Sequence, residues 1–323
     1  MTNFLITGGA GFIGSHLTAE LLKQYPDSSI TIVDNLSTGR RENLASFEND
    51  PRIRIFFNDI LSMPELEKLV AQSSTIFHLA AAVGVELVVH DPVQTIKTNV
   101  DGSARILDFA AKYHKRIIIA STSEVYGKSA KDNFEENDDL IIGAPTHSRW
   151  SYACSKLIDE FLLMAYHQHS QLPGTIVRFF NIVGPRQTGK YGMVIPRFVQ
   201  AAVNGKPIRV FGSGKQTRCF CHVADTVRAL AALPDKREAY GQIYNIGSQN
   251  SISMMQLAEK VIEVLHSNSS IELIPYEQAY AKGFEDMMRR SPDTAKIKKL
   301  LGWQPERSLE DIINDVANEM RHS

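Results

Sequence analysis

The chain has 323 residues, 43% of them hydrophobic, and a formal net charge of −1, with 35 Lys and Arg against 36 Asp and Glu. That balance excludes an electrostatic nucleic-acid binder or a polybasic membrane-surface protein, and no apolar run reaches the ~18 residues of a membrane span. The length predicts one large domain with a smaller lobe.

The first predicted strand, Phe4–Ile6, is too short for the core of a secretory signal. It runs straight into Thr-Gly-Gly-Ala-Gly-Phe-Ile-Gly-Ser-His at residues 7–16. Gly8, Gly11 and Gly14 form a GxxGxxG turn that opens a predicted helix, Phe12–Gln24. Such glycines allow a tight turn, close approach of backbone to a pyrophosphate, and close helix–strand packing. The helix N-terminus offers N–H groups and a positive dipole end to phosphates. The second strand, Ile30–Val33, ends on Asp34, about 20 residues past the glycines, where a carboxylate accepts ribose hydroxyls and repels a 2′-phosphate. The cofactor expected is therefore NAD.

Strands follow at Ile53–Phe57, Thr75–Leu79, Ile117–Ala120 and Thr175–Phe179. Helical patterns at Met63–Gln72, Pro92–Tyr113 and Trp150–His169 separate them. Strand–helix alternation predicts a doubly wound parallel sheet covered on both faces, an α/β Rossmann fold. Asp59-Ile60 after the third strand fits beside an adenine, although Asp59 reads almost as well as a surface turn. Leu79, Ala80 and Ala81 after the fourth strand, and Asn99 on the next helix, are further expected cofactor contacts. Phe12, Ile13 and Asn35, next to the glycines and Asp34, complete that set.

Residues 120–127, Ala-Ser-Thr-Ser-Glu-Val-Tyr-Gly, follow the fifth strand, at the sheet edge where ligands bind. Thr122, Ser123 and Glu124 are candidate catalytic residues there. Tyr152 and Lys156 share one face of the next helix at i and i+4. A phenol must ionise about three pH units below its ordinary value to act as a base near neutrality, and a neighbouring ammonium plus a cationic nicotinamide favour that.

Beyond residue 180 glycine and proline become frequent and the alternation stops. This predicts a Rossmann domain over 1–180 and a smaller α/β substrate lobe over 181–323, with part of the later chain free to return to the first domain. Cys154, Cys219 and Cys221 form an odd, sparse set. They predict reduced thiols and a cytoplasmic location, with no disulfide framework and no metal site.

Gly8-x-x-Gly11-x-x-Gly14, Ser121-Thr-Ser-Glu-Val-Tyr-Gly127, Tyr152-x-x-x-Lys156, Arg178-Phe-Phe-Asn181 and Gln216-Thr-Arg-Cys-Phe220 occur in order. Together they resemble the extended short-chain dehydrogenase/reductase family of nucleotide-sugar epimerases, dehydratases and decarboxylases over essentially the whole chain. The resemblance implies bound NAD and a nucleoside-diphosphate sugar, UDP-linked, in the C-terminal lobe. It makes Tyr152 the base at the sugar C4 hydroxyl and Asn181 a diphosphate contact. Val194, Arg197, Ile208 and Phe211 fall where the family binds the nucleoside. Arg218 and one of Arg289 and Arg290 fall where it clamps phosphate. It also implies a homodimer through the helices near 92–113 and 149–169.

Glu124 in Ser-Thr-Ser-Glu-Val-Tyr-Gly looks most like UDP-glucuronate decarboxylases, since simple 4-epimerases usually lack a carboxylate there. The expected activity is UDP-glucuronate decarboxylation through a 4-keto sugar. A UDP-sugar 4-epimerase acting on glucose, glucuronate or N-acetylglucosamine is the alternative, with a 4,6-dehydratase third. Ser123 stands where dTDP-glucose dehydratases carry Asp. A non-catalytic NAD-binding regulator would be expected to have lost the Tyr152/Lys156 pair.

Overall fold

The computed structural model describes residues 2–83, 91–187, 193–275 and 290–322. The first part of the chain contains β1 (Asn3–Thr7), α1 (Phe12–Gln24), β2 (Ser29–Val33), β3 (Ile53–Phe56), α2 (Leu66–Gln72), β4 (Thr75–His78), α3 (Pro92–Lys112), β5 (Arg116–Thr122), α4 (Trp150–Ser170) and β6 (Gly174–Phe179). The second part contains β7 (Ile182–Val183), α5 (Val194–Val203), β8 (Ile208–Phe211), β9 (Thr217–Cys219), β10 (Cys221–His222), α6 (Val223–Ala232) and β11 (Gln242–Ile246). It ends with β12 (Ser251–Ser253), α7 (Met254–Leu265), β13 (Ile271–Ile274), α8 (Ala295–Leu301) and α9 (Leu309–His322).

Seven strands form one parallel sheet in the order β11-β6-β5-β4-β1-β2-β3. Its strands are apolar on both faces because a core lies on each side, as parallel sheets require. Alternation along β1 shows the division. Phe4 and Ile6 join a core with Leu17 and Leu21 of α1 and Val227 and Leu230 of α6. Leu5 joins the opposite core with Leu66 of α2, Ile106 and Leu107 of α3, and Leu163 of α4. β1 pairs with β2 on one side and β4 on the other, so the strand order reverses there. Open α/β sheets bind ligands in the crevice outside the carboxyl ends at such a point.

A third core builds the lobe. Ile195, Phe198 and Val199 of α5 pack with Ile208 and Val210 of β8, Leu257 and Val261 of α7, and Ile312 and Val316 of α9. The chain does not stay there. β11 pairs in register with β6, Gln242 opposite Thr175, and α6 lies against α1. Among the described residues no helix is long and apolar enough to cross a membrane.

Candidate active site

Between the sheet edge and the lobe lies a cleft of about 490 Å³. One end is built by the glycine turn. Gly8 has φ +75°, and a Cβ on it would lie 2.7 Å from the Ala80 backbone nitrogen. A Cβ on Gly14 would lie 2.3 Å from the Gly8 carbonyl oxygen. Both positions therefore need glycine for the turn to close onto β4 and α1. Gly11 caps α1 without a side-chain acceptor, which leaves the first-turn N–H groups for a ligand. Asp34 lies beside the turn, its Oδ2 accepting from Ala10 N at 2.9 Å and its Oδ1 from Leu36 N at 2.8 Å. Burial pushes this carboxyl above its usual range, against hydrogen bonds from Leu36, Ala10 and Gly11 that pull it down. Glycine cradle, open helix end and carboxylate together fit a dinucleotide. Phe12, Ile13, Asn35, Asp59, Ile60, Leu79, Ala80 and Ala81 all line this end.

The other end is built by β5 and α4. Thr122 ends β5, and its Oγ1 accepts from Glu124 N at 3.2 Å, turning the chain into the 3-10 segment Ser123–Tyr126. This turn carries Ser123 and Glu124 to the cleft beside Tyr152 and Lys156. Tyr152 hydrogen-bonds to Thr122. Its phenol is pushed well above its ordinary value, first by burial, then by the Glu124 and Asp159 charges, against the Thr122 hydrogen bond and Arg290. Lys156 is not a free cation beside it: its Nζ lies 2.6 Å from Asp159 Oδ2, and both side chains are buried. Arg290 Nη1 lies 3.4 Å from Glu124 Oε1 and 3.5 Å from Ser123 Oγ.

Asn181, Val194, Arg197, Phe211 and Arg218 line the lobe side of the cleft. Asn181 adopts the left-handed conformation (φ +43°), rare outside glycine, and its Nδ2 donates to the Cys219 carbonyl at 2.9 Å. Arg197 stacks over Phe211 at 4.4 Å, and Arg218 donates to the Thr217 carbonyl at 2.8 Å.

Two expected residues, Ile208 and Asn99, do not line the cleft. Ile208 is fully buried in the lobe core, because side chains alternate along β8 and it shares a face with Val210, while Arg209 lines the cleft. The Asn99 amide clamps the Ala82 backbone, accepting from N at 2.7 Å and donating to O at 3.2 Å, and also donates to Ser155 Oγ. Arg289 lies outside the described residues, and Arg290 sits against Glu124 and Ser123, at the end of the cleft that holds Tyr152. The sequence reading also missed Arg149, Gln187, Arg209 and Gln216, which line the cleft. Strand parity carried a signal for Arg209, and Arg149 stands three residues before Tyr152. Asp159 was missed as well. Among the described residues no group of three or more His, Cys, Asp or Glu side chains is placed to hold a metal ion.

The sequence pattern of the family described as GDP-mannose 4,6 dehydratase matches residues 5–316. A UDP-N-acetyl-alpha-D-glucosaminuronate decarboxylase of Bacillus cytotoxicus is 43% identical over 98% of this chain and 97% of its own length. UDP-glucuronic acid decarboxylase 1 of Arabidopsis thaliana is 34% identical over 98% of this chain and 69% of its own. A UDP-glucuronic acid 4-epimerase from Bacillus cereus, solved with UDP-glucuronic acid and NAD, superposes with a TM-score of 0.89 at 26% identity and covers 99% of both chains.

Proposed function

The chain belongs to the GDP-mannose 4,6-dehydratase-like family of extended short-chain dehydrogenases, and from that premise we propose that it decarboxylates a UDP-linked hexuronate through a 4-keto sugar. It is an enzyme of this family, and its cofactor is NAD. The observation that carries the reading is the Arg290–Glu124 pair held against Ser123 beside Tyr152. A guanidinium there offers a planar fork to a sugar carboxylate, which would otherwise meet Glu124 alone.

Tyr152 takes the proton of the C4 hydroxyl, with Thr122 holding the phenol oxygen in place. When bound against the glycine turn, NAD would supply the hydride acceptor for C4 oxidation and the hydride for the closing reduction. Once C4 is a ketone, a C6 carboxylate makes the sugar a β-keto acid. The C5–C6 bond then breaks, its electron pair moves toward the C4 oxygen as an enolate, and CO₂ leaves. Arg290 and Tyr152 flank the developing negative charge, and a proton taken up at C5 restores the ketone. Asn181, Arg197, Phe211 and Arg218 hold the nucleoside diphosphate on the lobe side.

UDP-N-acetylglucosaminuronate is the first substrate to test and UDP-glucuronate the second, following the order of identity of the two relatives. Each is incubated with the NAD-loaded protein, alongside UDP-glucose, UDP-N-acetylglucosamine and GDP-mannose. A UDP-pentose lacking one CO₂ is the expected product. An unchanged mass with C4 inverted would make the protein a 4-epimerase, a reading the 0.89 superposition on an epimerase keeps in play. Loss of water would make it a dehydratase.

The assembly proposed is a homodimer in the cytoplasm. Val93 and Ile96 on α3 and Ile158 and Phe161 on α4 are exposed, Phe161 at 72%. The two helices pack against each other, and each carries exposed apolar side chains for a second copy to cover.

A further inference from the structure

Lys156 and Asp159 lie one helical turn apart on α4, 2% and 0% exposed, with Nζ and Oδ2 at 2.6 Å. An ion pair this deep gains little stability over apolar side chains, so its presence beside Tyr152 asks for a role in the chemistry. The pair is also anchored. Burial pushes the Asp159 carboxyl up, and Ser103 of α3, which faces it, pulls it down. Ser103 Oγ lies 3.1 Å from His78 Nε2, and His78 Nδ1 lies 2.7 Å from Thr7 Oγ1. Thr7 and His78 end β1 and β4, the two strands that flank the crevice. Thr7, His78 and Ser103 are each at most 1% exposed, so the chain of contacts does not open to solvent and is no proton exit. Burial and the Lys156 charge hold the His78 imidazole down at about 3, so it stays neutral.

We propose that Asp159 is a positioning residue that holds the Lys156 ammonium in a charge-neutral pair, so that Tyr152 gains base character only when a further cation, the oxidised nicotinamide, enters the cleft. This rests on reading Tyr152 as the base. Other charges facing the pair do not replace Asp159. Glu160, next on the helix, is taken by Arg178 Nη2 at 2.7 Å and by Ser121. Glu124 is paired with Arg290. His78, from β4, is neutral. Burial pushes the Tyr152 phenol up first, then the Glu124 and Asp159 charges, while Thr122 and Arg290 pull it down. The free enzyme therefore keeps its phenol protonated, and proton abstraction is tied to the cofactor being present in its oxidised form.

The test reads Tyr152 directly, without substrate. Phenolate absorbance is titrated in NAD-free protein, and the Tyr152→Phe counterpart is subtracted, because the chain has 10 tyrosines. In Asp159→Asn the Tyr152 phenolate should appear about one pH unit lower, roughly tenfold more phenolate at a given pH, since an unopposed cation shifts a neighbouring acid by that order. The acid limb of the kcat profile in the NAD-loaded enzyme should move the same way, and Asp159→Glu should restore both. A folded Asp159→Asn whose phenol titrates like wild type overturns the proposal, even if its rate falls. Should that variant not fold, Lys156→Gln/Asp159→Asn replaces the pair by two neutral groups. Its phenol should titrate near wild type, whereas a rise of a unit or more would mean Lys156 had acted as an uncompensated cation. The titration is independent of which sugar is turned over, so failure here leaves the decarboxylase reading intact.

Discussion

Tyr152 and Thr122 meet at the base of the cleft, one from the first turn of α4 and the other from the last residue of β5. Replacing the phenol by phenyl keeps the ring packing and removes one hydrogen bond, which costs about 1 kcal/mol of stability. It also removes, among the described residues, the only phenolic base lining the cleft. Tyr152→Phe should lower kcat at least ~10²-fold with an unchanged circular dichroism spectrum, since a positioned acid/base contributes about 10²–10⁴. A rate within threefold of wild type would remove Tyr152 from the mechanism. At this scale much of the site was legible. Tyr152, Lys156, Thr122 and Glu124 stand in short motifs whose spacing alone puts them on one helix face or one strand end. Asp159 was not, because Lys and Asp three residues apart on a helix usually read as a solvated pair. Its burial comes from the tertiary fold, which brings Ser103 of α3 against it.

Elements carry the next layer of information, and its limits are those of parity and tertiary contact. Six of the seven sheet strands coincide with predicted apolar runs such as Ile117–Ala120, but β11 falls outside every predicted strand, because Gln242 and Asn245 interrupt its apolar pattern. β8 is half-buried, and there the face matters: Ile208 and Val210 point into the lobe core, and Arg209 points to the cleft. A family resemblance that places Ile208 beside a nucleoside does not settle that parity. Asn99 sits on α3 within reach of the crevice but ties the Ala82 segment to Ser155 of α4. The outer faces of the same two helices bear on assembly. Phe161, Ile158, Val93 and Ile96 are apolar side chains that a monomer would leave in water. In sedimentation at micromolar concentration the protein should run as a dimer. Phe161→Glu, which puts a carboxylate at the most exposed apolar position, should shift it to monomer without loss of secondary structure. A wild-type monomer, or a variant still dimeric, would place the interface elsewhere or nowhere.

The whole molecule is held together by contacts no local pattern announces, because their partners lie far apart in the chain. His16 of α1 reaches the Pro185 carbonyl beyond β7 at 2.9 Å, which requires the proton on Nε2, since a carbonyl only accepts. Glu319 of α9 accepts from the Arg186 backbone N–H, and Asp315 of the same helix lies 3.2 Å from His222. These contacts close the lobe onto the glycine-turn end of the sheet, and they make stability depend on pH. Burial, with Arg186 and His222 nearby, holds the His16 imidazole at about 4, against 6.5 for an ordinary histidine. Between those values the unfolded chain binds the proton and the folded chain does not. The His16 contribution is therefore fully present above pH ~6.5 and is lost as pH falls toward 4. Asp34, Asp159 and Glu136, whose carboxyls burial holds above their usual range, act in the opposite sense, so the total curve hides the effect. His16→Gln isolates it, because the amide still donates to Pro185 and does not titrate. In denaturant unfolding, wild type should lose about 1–2 kcal/mol relative to His16→Gln between pH 7 and pH 5. A difference that stays constant over that range would mean the imidazole takes up its proton as readily in the fold as in the unfolded chain, and the junction is held some other way.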